Sequence, residues 1–192
     1  ISGDADAFTP AGLETFSAGT GGWTGAGATA RSTWTLNKGS VVLGPVAGSG
    51  NSTSWVQQIQ SSYQLTDSGA ATTTFSFDLY VLDSFDANEG VKVYVNGTAV
   101  MTIIAPGGAG GVSNLAGFTI TTSGGASYSA SLTQGNYSAT WAGSDDKLSI
   151  TLTVPTPGSV LTLGFGSNMN ESLSNESFAI DNVNVPGSGI IG

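Results

Sequence analysis

Alternating hydrophobic and polar positions in the middle of the chain predict a group of β-strands. Hydrophobic residues occupy every second position from Phe75 to Val81 and again from Val91 to Val95, the pattern of a strand with one buried face. Asn96 and Gly97 are residue types that adopt the positive φ angles of a two-residue hairpin turn, so Thr98 to Ile103 is predicted to return as a third strand.

Shorter strands are predicted on both sides of this group, separated by turns rich in Gly, Asn and Ser. They are Trp34–Leu36, Ser40–Leu43, Trp55–Gln60, Phe118–Ile120, Tyr137–Trp141, Leu148–Val154, Leu161–Phe165 and Phe178–Val185. The chain shows no sustained helical periodicity, no repeat of fixed period and no linker. We therefore expect residues 1–192 to form one all-β domain, an antiparallel β-sandwich of the jelly-roll type.

The last predicted strand breaks its own alternation. Phe178 and Ile180 fall on even positions, whereas Val183 and Val185 fall on odd ones. Either a β-bulge interrupts the strand, or Asp181 points where an apolar residue is expected. A buried, ionised Asp181 needs a matching charge, and a metal ion could supply it; the alternative is an exposed Asp on an edge strand.

The amino-acid composition excludes several kinds of functional site and disfavours several kinds of partner. The 192 residues contain neither Cys nor His, which excludes disulfides, thiolate or imidazole metal ligands, and catalytic triads built on these residues. Thirteen acidic residues against four basic ones give a net charge of −9. That charge disfavours nucleic acid and anionic membranes as partners. No apolar run approaches the length of a membrane span, so membrane insertion is not expected.

The surplus carboxylates are concentrated in two segments that could bind Ca²⁺, an ion that takes six to eight oxygen ligands. The first segment interrupts the central strands and offers Asp83, Asp86, Asn88 and Glu89. The second contains Asn168, Asn170, Glu171, Asn175 and Glu176, and it could close over the first or form its own site. A solvated loop is the alternative for the second segment. Asp4, Asp6, Asp145 and Asp146 are predicted to lie in surface turns, with Asp4 and Asp6 a weaker Ca²⁺ possibility.

Aromatic residues are candidates for ligand contacts, because an aromatic ring packs well against the apolar face of a sugar. Trp23 lies in a Gly-rich segment, and Trp55 begins a strand that carries Gln57. We select Trp23, Trp55 and Gln57 as predicted ligand-binding residues, although packing in the core is the commoner fate of a tryptophan.

Two resemblances extend this interpretation. Glu14 in LETFSAGTGGW, together with IDNVNV near the end, resembles secreted carbohydrate-binding jelly rolls, although this chain has Leu-Glu where they often have Phe-Glu. In that group an N-terminal carboxylate and a C-terminal Asp-Asn pair share a structural Ca²⁺, which implies Glu14, Asp181 and Asn182 as ligands here.

More of the chain resembles the ligand-binding domains of calcium-dependent RTX-type adhesins of Gram-negative bacteria. The matching segments are FSFDLYVLDSFDANEG, VKVYVNGTAV and NESFAIDNVNV after LTLGFGS. This resemblance implies an extracellular, monomeric domain within a larger bacterial surface protein. It would bind a peptide or a glycan on a host or neighbouring cell with the help of Ca²⁺.

Three functions therefore stay open. The first is a Ca²⁺-dependent binding module, in an adhesin or beside a polysaccharide-degrading enzyme. The second is a glycosidase that uses paired carboxylates such as Asp83 and Asp86, which need a separation of about 5 to 9.5 Å. The third is a structural spacer of an adhesin. We expect the binding module and no enzyme activity.

Overall fold

The computed structural model describes residues 13–16, 21–25, 33–35, 41–47, 54–83, 85–107, 115–135, 137, 145–170 and 176–190. Its strands are β1 (Leu13–Glu14), β2 (Thr24–Gly25), β3 (Thr33–Thr35), β4 (Val41–Ala47), β5 (Val56–Leu65), β6 (Thr72–Asp83), β7 (Gly90–Val95), β8 (Thr98–Ile104), β9 (Thr119–Thr122), β10 (Ser127–Gly135), β11 (Asp145–Pro155), β12 (Val160–Ser167), β13 (Glu176–Asn184) and β14 (Ser188–Ile190). A single 3-10 turn, Leu115–Gly117, completes the regular structure of these ranges.

The strands form two antiparallel sheets, which confirms the predicted all-β sandwich. The first sheet has the order β10-β11-β6-β13-β4-β3, with β1 paired to β13, and the second has the order β14-β5-β12-β7-β8-β9, with β2 paired to β5. Strands of both sheets contribute to one hydrophobic core, as expected when each sheet buries one face against the other. The arrangement is compatible with a jelly roll. No helix within the described ranges has the length and hydrophobicity that crossing a membrane requires.

The central strands form as their alternation predicts. Phe75, Phe77 and Leu79 of β6 are almost fully buried. β7 and β8 form the predicted hairpin, and its turn residues Asn96 and Gly97 have φ angles of 50° and 81°. Positive φ at both positions matches the twist of the flanking strands.

A bulge in β13 explains the broken alternation of the last long strand. The register of β13 against β6 shifts between Asp181 and Asn184, and Asn182 has a φ angle of 49°. Ile180 and Val183 can therefore both enter the core, while Asp181 lies opposite Asp78 of β6. Because Asp78 alternates with the buried Phe77 and Leu79, both aspartates belong to the outer face of the first sheet.

Two connections cross between the sheets at the same end of the sandwich. One leads from the end of β6 in the first sheet to the start of β7 in the second, and the other leads from β12 to β13. Asp83 pairs with Glu176, and Val91 pairs with Ser167. The ladder registers therefore bring the two oxygen-rich segments of the sequence to one end of the molecule.

Candidate functional site

Carboxylates from three neighbouring strand ends and one connection form a chain of contacts, which we call the acidic end. It consists of Asp83, Asp86, Glu89, Asp145 and Glu176. Asp83 and Glu176 are directly opposite each other in the β6–β13 ladder. The backbone N–H of Asp83 donates to Oδ1 of Asp145 at 2.8 Å. The carboxyl group of Glu89 is in hydrogen-bonding contact with that of Glu176.

Asp145 and Asp146 do not lie in a surface turn, so that prediction is wrong. They begin β11 and are 2% and 3% exposed. Asp145 accepts two backbone hydrogen bonds there: Oδ1 accepts the N–H of Asp83 at the end of β6, and Oδ2 accepts the N–H of Tyr137 at 2.8 Å. The hydrophobic alternation of β11 begins only at Leu148, so the sequence carried no signal that both aspartates would be buried.

Asn168, at the start of the second oxygen-rich segment, contacts the first connection. The side-chain amide of Asn168 accepts the N–H of Gly90 at 2.9 Å and donates to the carbonyl oxygen of Asn88 at 3.0 Å. Asn88 has a φ angle of 69°, a conformation that Asn tolerates better than most residues. Asn168 thus holds the start of β7 and the first connection in one arrangement.

Glu89 has an unusual proton affinity. It is 4% exposed, and burial, the contact with Glu176 and the negative charges of Glu176 and Asp86 raise its pKa to about 8. The N–H of Asp86, which donates to Oε2 of Glu89 at 3.0 Å, opposes this rise. Glu89 therefore keeps its proton near neutral pH, because ionising a buried carboxyl group beside other acidic groups is costly.

The described residues contain no group of three or more Asp or Glu side chains gathered closely enough to hold a metal ion. The carboxyl groups of the acidic end are neighbours in pairs instead. Glu176 is fully buried, and its Oε1 accepts the N–H of Asn170 at 2.9 Å. Asp86 and Asn88 are exposed. The predicted ligand Asn175 lies outside the described residues, as do Glu171, Asp4 and Asp6.

Glu14 and Trp23 lie together elsewhere in the sandwich. Glu14 pairs with Val183 of β13, seven positions from Glu176 and therefore about 20 Å from the acidic end. Its Oε2 accepts hydrogen bonds from Nε1 of Trp23 and, at 3.1 Å, from the hydroxyl of Tyr63. Burial and the charge of Glu14 raise the pKa of Tyr63 far above its ordinary value.

Trp23 is 2% exposed, and its ring packs against Phe16 and Phe165. It therefore offers no ring face to a ligand in this structure, contrary to its selection as a stacking residue. Glu14 points to the interior, whereas Asp181 faces outward, so the first sheet separates these two predicted Ca²⁺ ligands. The sequence could not show this, because the bulge that turns Asp181 outward depends on the pairing of β13.

Asn182 lines a polar groove on the outer face of the first sheet, and the neighbouring Asp181 is only 6% exposed, in a strand paired on both sides rather than at an edge. The groove has a volume of about 450 Å³ and is lined mainly by Ser and Thr side chains, together with Asp78 and Asn182. Asn182 donates from Nδ2 to Oδ2 of Asp78 at 2.8 Å. Burial and the charge of Asp78 raise the pKa of Asp181 to about 6, while the N–H of Asn182 and the charge of Lys147 oppose the rise.

The predicted ligand residues Trp55 and Gln57 lie on the outer face of the second sheet. Nζ of Lys92 stands 4.6 Å from the centroid of the Trp55 ring, within the range of a cation–π contact. Gln57 pairs with Gly166, which pairs in turn with Lys92. Gln57 also donates from Nε2 to Oε1 of Gln60 at 2.6 Å. Trp55 and Lys92 are therefore near the same end of the sandwich as Glu89, which precedes β7.

Comparison of the chain with protein-family models, with curated proteins and with solved structures finds no match.

Proposed function

We propose that this protein is a Ca²⁺-dependent binding module of an extracellular bacterial surface adhesin, with the ion bound at the acidic end. The observation that carries the proposal is the burial of Glu89 against Glu176: burial first and the contact second raise the pKa of Glu89 to about 8. Such a pair has a strong demand for positive charge, and a divalent cation can satisfy it in place of the proton.

The donor atoms at this end suit a hard cation. Glu89 and Glu176, whose carboxyl groups are in contact, are the candidate carboxylate ligands, and the exposed Asp86 and Asn88 lie on the connection beside them. Ca²⁺ accepts carboxylate, amide and backbone oxygens together with water, in flexible geometry. The bound ion would supply positive charge and open coordination positions for ligand oxygens. The proposal leaves out Glu14, Asp181 and Asn182, which lie elsewhere in the fold.

Binding is favoured over glycoside hydrolysis. A glycosidase needs its two carboxyl groups about 5 to 9.5 Å apart so that the sugar or a water molecule fits between them. Glu89 and Glu176 are in hydrogen-bonding contact, so these two cannot act as such a spaced pair. The pair named from the sequence, Asp83 and Asp86, is tested by assaying the purified chain for glycan hydrolysis, and turnover would support the glycosidase instead.

The ion is tested by thermal unfolding and calorimetric titration at pH 7.5. We expect Ca²⁺ to raise the melting temperature of the wild-type chain and EDTA to lower it again; at a concentration 100 times the Kd, the gain is about 2.7 kcal/mol. Glu89→Gln should fold normally, because Gln resembles the protonated side chain, but it should lose most of this gain.

Asp67→Asn is the matched control, since Asp67 is an exposed acid between the end of β5 and the start of β6, at the end of the sandwich opposite the acidic end. It should respond to Ca²⁺ as the wild type does. A chain that retains no Ca²⁺ at millimolar concentration, or a Glu89→Gln variant with undiminished stabilisation, would contradict the proposal.

The ligand of the module would be a peptide or a glycan on a host or neighbouring cell. The support is the position of Trp55 and Gln57, which lie on a surface near the acidic end. A purely structural spacer would bind no member of a peptide and glycan panel in either Ca²⁺ or EDTA, and this outcome separates the two functions.

A further inference from the structure

The two sheets differ in charge. Described strands of the first sheet carry acidic residues, among them Asp78, Asp83, Asp145, Glu176 and Asp181. The described strands of the second sheet contain no Asp or Glu, and Lys92 is their one charged residue. In a chain of net charge −9, the outer face of the second sheet is therefore an almost uncharged surface of amide and hydroxyl groups.

The ladder registers define one part of this face. Gln57, Gly166 and Lys92 occupy one level across β5, β12 and β7, and Gln60 pairs with Gly164 at the next level. We call the surface formed by Trp55, Gln57, Gln60, Lys92, Gly164 and Gly166 the amide face.

The two glycines form the floor of the amide face. A Cβ on Gly164 would lie 2.6 Å from Nε2 of Gln57, so the Gln57 side chain occupies the space above this residue. A Cβ on Gly166 would lie 1.9 Å from the carbonyl oxygen of Val56. At these two positions β12 therefore contributes no side chain to the surface, and the Gln57 side chain and the backbone of β5 lie close against it.

From these features we infer that the amide face binds a neutral polysaccharide. Carboxamide groups both donate and accept hydrogen bonds, which matches the hydroxyl groups of a sugar. The half-buried ring of Trp55 can pack against the apolar face of a pyranose. Side chains on β5 and β7 stand two strands apart, about 10 Å, so the surface spans more than one sugar ring.

Other classes of ligand fit less well. An extended peptide that adds a strand needs an unpaired sheet edge, but β12 is paired on both sides, to β5 and to β7. An anionic ligand would be repelled by the net charge and by the acidic end, and a cation would find no carboxylate on these strands. The inference refines the ligand class of the proposed function and does not require the ion.

The test is affinity electrophoresis of the whole 192-residue chain in gels that contain a soluble β-glucan, a galactomannan or dextran, with alginate as an anionic comparison. We expect at least one neutral polysaccharide to retard the wild type. Trp55→Ala and the double variant Gln57→Ala, Gln60→Ala should each bind about tenfold more weakly, the loss of about one good stacking or hydrogen-bonding contact.

The matched control is the double variant Ser131→Ala, Ser149→Ala, which removes hydroxyl groups from the groove on the opposite sheet. It should bind as the wild type does. Melting temperatures show whether each variant is folded. Retardation by none of the neutral polysaccharides, by alginate alone, or equally for the wild type and a folded Trp55→Ala variant would overturn the inference.

Repeating the gels in EDTA separates this inference from the proposed function. Retardation that persists in EDTA, in a chain that binds no Ca²⁺, would refute the proposed ion and leave the amide face in place. A chain that binds Ca²⁺ but no neutral polysaccharide would refute the amide face alone.

Discussion

Glu14 shows how a single residue can satisfy a sequence motif and still have another role. Its carboxylate is 6% exposed and sits among aromatic residues. An acidic group in such a place needs donors, because burial without hydrogen bonds is costly. Nε1 of Trp23 and the hydroxyl of Tyr63 are two such donors, and both reach Oε2. In this structure the residue helps to specify the core.

This arrangement predicts that Tyr63→Phe will destabilise the protein by about 1–3 kcal/mol, because the buried carboxylate then loses one of its donors. Urea unfolding at pH 7 measures the change. Tyr128→Phe is the control: Tyr128 is 41% exposed, and loss of its hydroxyl should change the free energy of unfolding by less than about 0.5 kcal/mol. Equal effects for the two variants would show that the hydroxyl of Tyr63 contributes nothing special.

At the scale of secondary-structure elements, the sequence predicts well wherever one face of a strand is buried. The alternation of β6, β7 and β11 reports the core directly, because successive side chains point to opposite sides. The hairpin between β7 and β8 was predictable because Asn96 and Gly97 tolerate positive φ. The shift of hydrophobic residues from even to odd positions in β13 likewise predicted a β-bulge as one of two alternatives.

Elements that lack this signal were missed or misplaced. β10 (Ser127–Gly135) was not predicted, although Tyr128, Ala130 and Leu132 alternate with Ser and Thr. It is a partly exposed edge strand rich in hydroxyl side chains, and Ala130 and Leu132 are only partly buried against the core. Sequence proximity also cannot show which carboxylates meet. Glu89 and Glu176 are 87 positions apart in the chain. They come together because the end of β6, which leads to Glu89, pairs with the start of β13, where Glu176 lies.

Gly90, the first residue of β7, directly follows Glu89 of the acidic end. A Cβ on Gly90 would lie 1.9 Å from the carbonyl oxygen of Ile103 in β8. We predict that Gly90→Ala destabilises the chain by about 1–3 kcal/mol, the usual cost of overpacking. Because Glu89 precedes this position, the variant should also bind Ca²⁺ more weakly. Urea unfolding and calorimetric titration give the two values.

Gly69→Ala is the comparison for this variant. Gly69 lies in a turn, and the nearest atom to an added Cβ is Oδ1 of Asp67 at 3.7 Å, an ordinary contact. Its free energy of unfolding should stay within about 0.5 kcal/mol of the wild type. If Gly90→Ala leaves the free energy of unfolding and Ca²⁺ binding as little changed as Gly69→Ala does, the close approach of β7 and β8 does not hold Glu89 in place.

At the scale of the whole molecule, the distribution of charge follows the division into sheets. Asp78 and Asp181 lie opposite each other in the first sheet, and Glu176 of the same sheet contacts Glu89 of the connection from β6 to β7, while the described strands of the second sheet carry no carboxylates. Burial and the neighbouring negative charge raise the pKa of Asp181 and that of Glu89. The stability of the chain should therefore depend on pH in a direction opposite to that of most salt-bridged proteins.

The direction follows from the raised pKa values. In an unstructured chain, Glu titrates near 4.5 and Asp near 3.8, whereas the native pKa of Glu89 is about 8 and that of Asp181 is about 6. Between these limits the native state holds more protons than the unfolded state, so each group lowers the free energy of unfolding as the pH rises. The contribution of Asp181 should be complete near pH 6, and that of Glu89 near pH 8.

Urea unfolding in EDTA from pH 5 to pH 9 tests this, with the wild type compared to Glu89→Gln so that contributions from other acids cancel. We expect the wild type to lose stability relative to the variant up to about pH 8 and to run parallel to it above that, because Gln cannot release the proton. Saturating Ca²⁺ should reduce the loss, since an ion that replaces the proton stabilises the ionised pair. A difference between the two chains that stays constant from pH 5 to pH 9 would mean that Glu89 ionises normally in the folded protein, and the demand for positive charge at the acidic end would have no basis.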